Sequence, residues 1–203
     1  MSRPTISFLR RGKRVDVSDI DPKTTLLDWL RLSERSTGTK EGCAEGDCGA
    51  CTVVLARERD GRLVYEAVNA CILLLGQVDG SEVISVEDLA TDEGLHPIQE
   101  AMVSHHGSQC GFCTPGFVMS LLALSHEKHA TLDRDHINDA LAGNLCRCTG
   151  YKPIIAAALE SCASPKPDQF DARERATLAA LAQFRANEDV FMGSSESFFA
   201  APG

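Results

Sequence analysis

The sequence has few aromatic residues and no long apolar run. Phe, Trp and Tyr make up 5% of its 203 residues. No stretch reaches the ~18 consecutive apolar residues that a membrane span requires. The N-terminus leads into a strand-like segment and not into the apolar core of a signal peptide. We therefore expect no membrane partner, and the cytoplasm, where thiols stay reduced and free to bind metal, is the expected compartment.

An excess of positive charge is also absent. The formal net charge is −9; the first forty residues hold nine Lys and Arg against five Asp and Glu, and the remainder holds eleven against twenty-four. Phosphate binding requires a net basic face, so this balance argues against nucleic acid as a partner. The basic first stretch is interpreted either as a solvated surface or as a docking face for a partner subunit. The sequence also lacks the Gly-x-Gly-x-x-Gly fingerprint of a dinucleotide site.

Cysteine, in contrast, is abundant, and eight of the nine cysteines fall into two groups. The first group is Cys43-x4-Cys48-x2-Cys51, followed by Cys71. This is the spacing of plant-type ferredoxins, in which four thiolates hold one [2Fe–2S] cluster. The alternative is a structural zinc site with four cysteine ligands, which three thiolates in one loop fit less well.

The second group pairs Cys110-x2-Cys113 with Cys146-x-Cys148. Each pair lies just before a predicted helix, whose N-terminus carries partial positive charge and free N–H groups suited to an anionic cluster. The group predicts a second [2Fe–2S] cluster, although zinc remains an alternative on spacing alone. Histidines are absent from both motifs, which excludes a Rieske centre. The six histidines are interpreted as ordinary surface or helix side chains and not as metal ligands, and Cys162 as a small buried hydrophobe.

The periodicity of apolar residues changes along the chain and predicts an α+β organisation in three parts. Short strands around one helix and the first cysteine loop predict a small ferredoxin-type domain over residues 1–88. Four short helices with the second cysteine group in their connections predict a helical domain over 89–163. Residues 164–203 look linker-like, with a possible amphipathic helix over 171–186 and an unstructured end.

Four runs of residues carry a resemblance to a known family. They are residues 38–53 (GTKEGCAEGDCGACTV), 69–71 (NAC), 107–116 (GSQCGFCTPG) and 143–151 (GNLCRCTGY). With these runs the chain resembles, over about residues 1–163, the iron–sulfur part of the xanthine oxidase family, the molybdenum hydroxylases. The resemblance implies a β-grasp ferredoxin domain followed by a four-helix bundle, each with one [2Fe–2S] cluster.

The resemblance also implies the partners. Electrons would pass from a molybdopterin-binding large subunit through the two clusters to an FAD-binding domain or subunit and then to NAD. By resemblance Gln109 and Cys148 would lie beside the molybdopterin, and Glu45 and Gly46 on the flavin side. No residue of this chain is expected to act on substrate, and the tail would lead toward the FAD domain.

Within the family, residues 106–109 and 117–121 look most like xanthine dehydrogenase. Other members, which oxidise aldehydes, carbon monoxide or N-heterocycles, share the cysteine motifs and remain alternatives. A freestanding ferredoxin-like carrier is a further alternative, but it leaves the helical part without a purpose. A zinc-stabilised interaction module without a redox role is another.

Overall fold

The computed structural model of the protein describes residues 2–127, 132–162, 166–184, 189–193 and 197–201. The first part of the chain contains a mixed five-stranded sheet. The strands up to residue 84 are β1 (Ser2–Arg3), β2 (Ile6–Arg10), β3 (Lys13–Val17), β4 (Thr52–Arg59), β5 (Arg62–Asn69) and β6 (Glu82–Ile84). The sheet has the order β3-β2-β6-β4-β5, with β2 and β6 parallel and the other pairs antiparallel. The pairs β2–β3 and β4–β5 are hairpins, and β6 joins them through the middle of the sheet.

One short helix packs on this sheet. Helix α1 (Leu26–Asp28) begins after Thr25, whose hydroxyl accepts a hydrogen bond from the Asp28 N–H, and it continues as a π-helical turn over Trp29–Ser33. Its apolar side is buried, and Trp29 meets Phe8 of β2 edge to face with ring centroids 5.2 Å apart. The chain that leaves this turn forms the first cysteine loop.

Four helices follow, where the sequence predicts them. They are α2 (Pro97–Ser104), α3 (Thr114–His126), α4 (Arg134–Leu141) and α5 (Lys152–Cys162). Every residue of α3 from Gly116 to Leu124 is buried, because α3 lies against the other helices on one side and against β4 and β5 on the other. The predicted α+β character is confirmed. Within the described ranges, no helix has the length and apolar character of a membrane span.

The tail is folded back on the rest of the molecule over much of its length. Helix α6 (Gln169–Ala182) buries Phe170 in the helical core, and Leu181 packs with Leu9 of β2. Strand β7 (Asp189–Gly193) pairs in parallel with β1 and antiparallel with β8 (Phe198–Ala201). The end is therefore not unstructured in its described residues. Its role as a link to an FAD domain stays a prediction.

Asp168 anchors α6 to the helical part. Its Oδ1 caps α6 by accepting hydrogen bonds from the N–H groups of Phe170 and Asp171, at 2.7 and 3.1 Å. Its Oδ2 accepts from Nε2 of His96 at 2.9 Å and of His126 at 3.1 Å. Burial alone would raise the pKa of Asp168, but the hydrogen bonds from the two histidines hold it well below its usual range.

We expect Asp168→Ala to release α6. The change removes a helix cap and leaves two buried imidazoles without their acceptor, which together cost about 2–4 kcal/mol of unfolding free energy. Limited trypsin digestion should then cut α6 after Arg173 much sooner than in the wild type. Asp133→Ala, which removes the equivalent cap from α4 at an exposed site, is the control. Equal cleavage of both variants in α6 would contradict the anchoring role.

Candidate metal centres

The first cysteine group converges because of the hairpin that follows it. Cys51 immediately precedes β4 and Cys71 follows β5 after one intervening residue. These strands pair with Thr52 opposite Asn69, and the Ala70 N–H donates to the Cys51 carbonyl at 3.3 Å. Two cysteines twenty residues apart are thus held side by side. Both are buried, whereas Cys43 and Cys48, in the loop before β4, are partly exposed.

Backbone N–H groups point at the first sulfur of this loop. The N–H groups of Asp47 and Cys48 donate to Cys43 Sγ at 3.3 and 3.4 Å. Backbone donors, with that of Glu45 the strongest, lower the pKa of Cys43 to about 7. Such donors stabilise a thiolate and would equally stabilise the negative charge of a bound cluster.

Glycine allows the loop to close tightly. A Cβ on Gly42 would lie 2.7 Å from Cys48 Sγ, and one on Gly46, whose φ is +81°, would lie 2.6 Å from Ile72 Cδ1. The Asn69 side chain secures the turn by donating to the Gly46 carbonyl at 2.6 Å. The first group thus supplies four thiols, N–H donors directed at sulfur, and space that a side chain at position 42 or 46 would fill. This combination fits a [2Fe–2S] cluster.

The second group converges from two helix starts. Cys113 is the residue before α3, and Cys146 and Cys148 lie in the loop before α5. Burial and the neighbouring Cys146 thiol raise the pKa of Cys113 to about 12, whereas the Phe112 N–H lowers the pKa of Cys110. Mutual contacts of Cys113 with Cys146 and of Cys110 with Cys148 bring the four thiols into one group. The arrangement fits a second cluster at helix N-termini.

The two cysteine loops touch each other. The Leu145 N–H, next to the predicted ligand Cys146, donates to the carbonyl of the predicted ligand Cys48 at 3.0 Å. Asn144, which is buried, donates through Nδ2 to the Gly49 carbonyl at 3.1 Å. One hydrogen bond and a few covalent bonds therefore join a cysteine of the first group to a cysteine of the second.

Close backbone approach makes this contact possible. Gly49 has φ +70°, and a Cβ there would overlap the Gly143 carbonyl oxygen and lie 2.5 Å from Asn144 Nδ2. A Cβ on Gly116, in the first turn of α3, would overlap the Gly49 carbonyl oxygen. Glycines at both positions thus set how near the two loops lie.

We expect Asn144→Leu to weaken the junction between the loops. Besides its bond to Gly49, the amide donates to Thr52 Oγ1 at 3.3 Å and accepts from Ser120 Oγ at 2.7 Å. Leucine has a similar volume but leaves these buried groups unpaired, so the free energy of unfolding should fall by about 2–4 kcal/mol in urea titrations. Ser120→Ala, which removes one of the bonds, should cost about 1 kcal/mol. An Asn144→Leu variant as stable as the wild type would show that Asn144 does not stabilise the contact between the two cysteine loops.

The remaining predicted site residues lie at the two loops. Gln109 and Cys148 are exposed at the second group, and Glu45 and Gly46 lie on the outer part of the first loop. Their assigned roles toward molybdopterin and flavin stay predictions. Asn144 stands inside a predicted motif, yet no spacing or periodicity in the sequence indicates its contact with Gly49.

A further group of potential ligands is explained by hydrogen bonds. His126, Asp168 and Asp171 place ligand atoms within 4.8 Å of one another. Both oxygens of Asp168 already accept hydrogen bonds, and His96 Nδ1 accepts from the Ile98 N–H, which fixes the proton on its Nε2. This group therefore acts as an anchor between α6 and the helical part. His129 lies outside the described residues.

Comparison with known proteins agrees with this geometry. Residues 9–75 match the family described as 2Fe-2S iron-sulfur cluster binding domain, and residues 85–159 match the one described as [2Fe-2S] binding domain. The chain is 49% identical over 163 residues to xanthine dehydrogenase of Blastobotrys adeninivorans and 46% identical over 162 residues to aldehyde oxidase 1 of Oryctolagus cuniculus. These matches take in 79% and 78% of the chain but only 12% of each curated relative.

Solved structures show the same arrangement. Quinoline 2-oxidoreductase from Pseudomonas putida 86 superposes with a TM-score of 0.66 at 33% identity, over 88% of this chain and 96% of that one. Aldehyde oxidoreductase from Desulfovibrio gigas superposes with a TM-score of 0.66 at 30% identity, over 90% of this chain and 22% of that one. The match therefore spans nearly all of one relative's chain and 22% of the other's.

Proposed function

Because the chain belongs to the iron–sulfur part of the xanthine oxidase family, the molybdenum hydroxylases, we propose that it is the electron-transfer component of such an enzyme. The hydrogen bond from the Leu145 N–H to the Cys48 carbonyl carries this proposal, since it joins the two ligand groups directly. Bound clusters supply two one-electron acceptors in series. The protein holds their sulfurs, donates N–H groups to them and sets their separation.

The proposed direction runs from the helical part to the sheet part. The ligands Cys110, Cys113, Cys146 and Cys148 would receive electrons from a molybdopterin component, with Gln109 and Cys148 nearest to it. The ligands Cys43, Cys48, Cys51 and Cys71 would pass them to FAD, on the side of Glu45 and Gly46, and NAD would be the final acceptor. Two features support a relay through both groups: the second group has two exposed thiols, and hydrogen bonds from Leu145 and Asn144 join its loop to the first cysteine loop.

The finer description of the fold belongs to the same proposal. We interpret the five-stranded sheet with α1 as a β-grasp domain and the helices α2 to α5 as a four-helix bundle. The molybdopterin and FAD parts would be carried by further domains or subunits, in the cytoplasm and without a membrane or nucleic acid. The identities to xanthine dehydrogenase and aldehyde oxidase are similar, 49% and 46%, and do not distinguish the two enzymes. The substrate would be selected by the molybdopterin component. We propose xanthine.

The substrate is tested by reducing the complex with candidate substrates. The chain would be purified anaerobically with its bound partners, and xanthine, an aldehyde or an N-heterocycle would be added without acceptor. Xanthine is expected to bleach the visible absorbance of both clusters. Bleaching by another substrate alone would replace xanthine but retain the electron-transfer function. If dithionite reduced the clusters and no substrate did, the function itself would be wrong.

A further inference from the structure

The loop before α5 surrounds Cys146 with a closed set of hydrogen bonds. Cys146 Sγ and Thr149 Oγ1 lie 3.2 Å apart. The Tyr151 N–H donates to the same hydroxyl oxygen at 3.2 Å, and the Cys146 N–H donates to the Tyr151 hydroxyl at 3.0 Å. Three hydrogen bonds thus join Cys146, Thr149 and Tyr151 in a cycle, and each residue takes part in two of them.

The Thr149 hydroxyl is the donor to sulfur when Cys146 binds iron. A cysteine that ligates a metal is a thiolate and has no S–H left to donate. The hydroxyl oxygen of Thr149 accepts from the Tyr151 N–H, and a hydroxyl that accepts a hydrogen bond can still donate one. Its hydrogen is therefore available to Cys146 Sγ, 3.2 Å away.

The backbone after Thr149 is held in an unusual conformation that supports this contact. Gly150 has φ +68° and Tyr151 has φ +67°. A positive φ is uncommon for an aromatic residue and costs free energy, so the surrounding contacts have to maintain it. The Tyr151 ring lies edge to face with Phe117 of α3, with centroids 6.2 Å apart, and its hydroxyl accepts from the Cys146 N–H. These contacts fix the Tyr151 N–H that orients the Thr149 hydroxyl.

A hydroxyl directed at a cluster sulfur stabilises the reduced cluster more than the oxidised one. Reduction adds one negative charge, and a hydrogen bond strengthens with the charge of its acceptor. Cys146 and Thr149 are both half-buried, so water competes for this sulfur less than it does at the exposed Cys110 and Cys148. The hydroxyl would therefore favour reduction of the second cluster.

We propose that Thr149 is a tuning residue that raises the reduction potential of the second cluster by donating a hydrogen bond to Cys146 Sγ. The inference rests on the proposed function and adds a side chain that sets how readily the second cluster accepts an electron. At the first group the donors to Cys43 Sγ are the backbone N–H groups of Asp47 and Cys48, which a change of side chain does not remove. The Thr149 hydroxyl, in contrast, can be removed by substitution.

Thr149→Val tests the proposal, because valine has the shape of threonine without the hydroxyl. Thr149→Ser keeps the hydroxyl and should restore the behaviour of the wild type. Thr114→Val is the matched control, since Thr114 adjoins the predicted ligand Cys113 but its hydroxyl donates to Ser108 Oγ at 2.8 Å and not to a sulfur.

The measurement is a redox titration of each anaerobically purified chain, followed by low-temperature EPR of both cluster signals. A Cys113→Ser chain, which lacks a ligand of the second group, identifies the signal that belongs to the second cluster. Iron content and thermal melting would check that each variant is folded and loaded.

We expect Thr149→Val to lower the equilibrium constant for reduction of the second cluster about three- to tenfold, which corresponds to about 30–60 mV for one electron. The potential of the first cluster should stay unchanged in the same sample. Thr149→Ser and Thr114→Val should match the wild type at both clusters.

An unchanged potential of the second cluster in Thr149→Val would overturn the proposal. An equal shift in Thr149→Ser would overturn it as well, because the shape of the side chain and not the hydroxyl would then matter. Thr149→Ala replaces the valine variant if valine prevents cluster binding, and loss of the second cluster from both would assign Thr149 to holding the cluster instead of tuning it. A wild-type chain without a second EPR signal would instead defeat the proposed function.

Discussion

Cys113→Ser is expected to remove one cluster and leave the other in place, so that iron falls from about four to about two atoms per chain. Cys113 contributes a half-buried thiol at the N-terminus of α3, where its replacement would take one of the four predicted ligands from the second group. The first group shares no ligand with it and is folded around the β4–β5 hairpin. Iron analysis and EPR of the dithionite-reduced variant should therefore show a single remaining signal.

The ninth cysteine provides the control. Cys162 is buried on α5, where burial raises its pKa to about 11 and its thiol contacts the Leu121 carbonyl at 3.6 Å. Cys162→Ala deletes a thiol without touching either group, and it should retain about four irons per chain. If Cys113→Ser retained four irons, or if Cys162→Ala lost iron, the assignment of ligands would be incorrect.

Gly49→Ala is expected to cost more than about 3 kcal/mol of unfolding free energy, because it combines an unfavourable backbone conformation with overlap against another backbone. Gly49 has φ +70°, and the new Cβ would overlap the Gly143 carbonyl oxygen with no side chain there to move aside. Relief requires the two cysteine loops to separate. We therefore expect weaker magnetic interaction between the reduced clusters, together with a lower midpoint in urea.

The Gly61→Ala variant separates the cost of the backbone conformation from the cost of the overlap between the two loops. Gly61 has φ +77° in the β4–β5 hairpin turn, and a Cβ there would meet nothing within 4 Å. Its cost should be the conformational part alone, about 1–2 kcal/mol, with the cluster interaction unchanged. Equal losses in both variants would mean that the contact between the loops adds nothing beyond local strain.

The cysteine groups, the helix starts and the hairpin turn could be predicted because each is determined by residues close together in the sequence. Ligand spacing identifies both cysteine groups, and proline in the first turn marks the starts of α2 and α3. The hairpin between β4 and β5 follows from the turn at residues 60–61. The resemblance to the iron–sulfur part of the xanthine oxidase family is confirmed by the comparisons.

The features that could not be predicted depend on contacts between residues that are far apart in the sequence. Asn144 and Gly49 are 95 positions apart, and no periodicity relates them. Phe170 reads as an ordinary apolar residue of a linker-like tail, yet it fills a space formed by the helical core. Asp168 caps the helix that carries Phe170, and its two histidine partners cannot be read from the sequence. The contact between the two cysteine loops and the packing of the tail on the helical core are therefore visible only in the structure.

The central claim is that one chain holds two [2Fe–2S] clusters in contact through their ligand loops. Its most direct test is low-temperature EPR of the anaerobically purified, dithionite-reduced protein, with iron, sulfide and zinc measured on the same sample. We predict two distinct signals, about four irons per chain and broadening by interaction between the clusters. Stoichiometric zinc without an EPR signal would contradict the claim and leave a structural module.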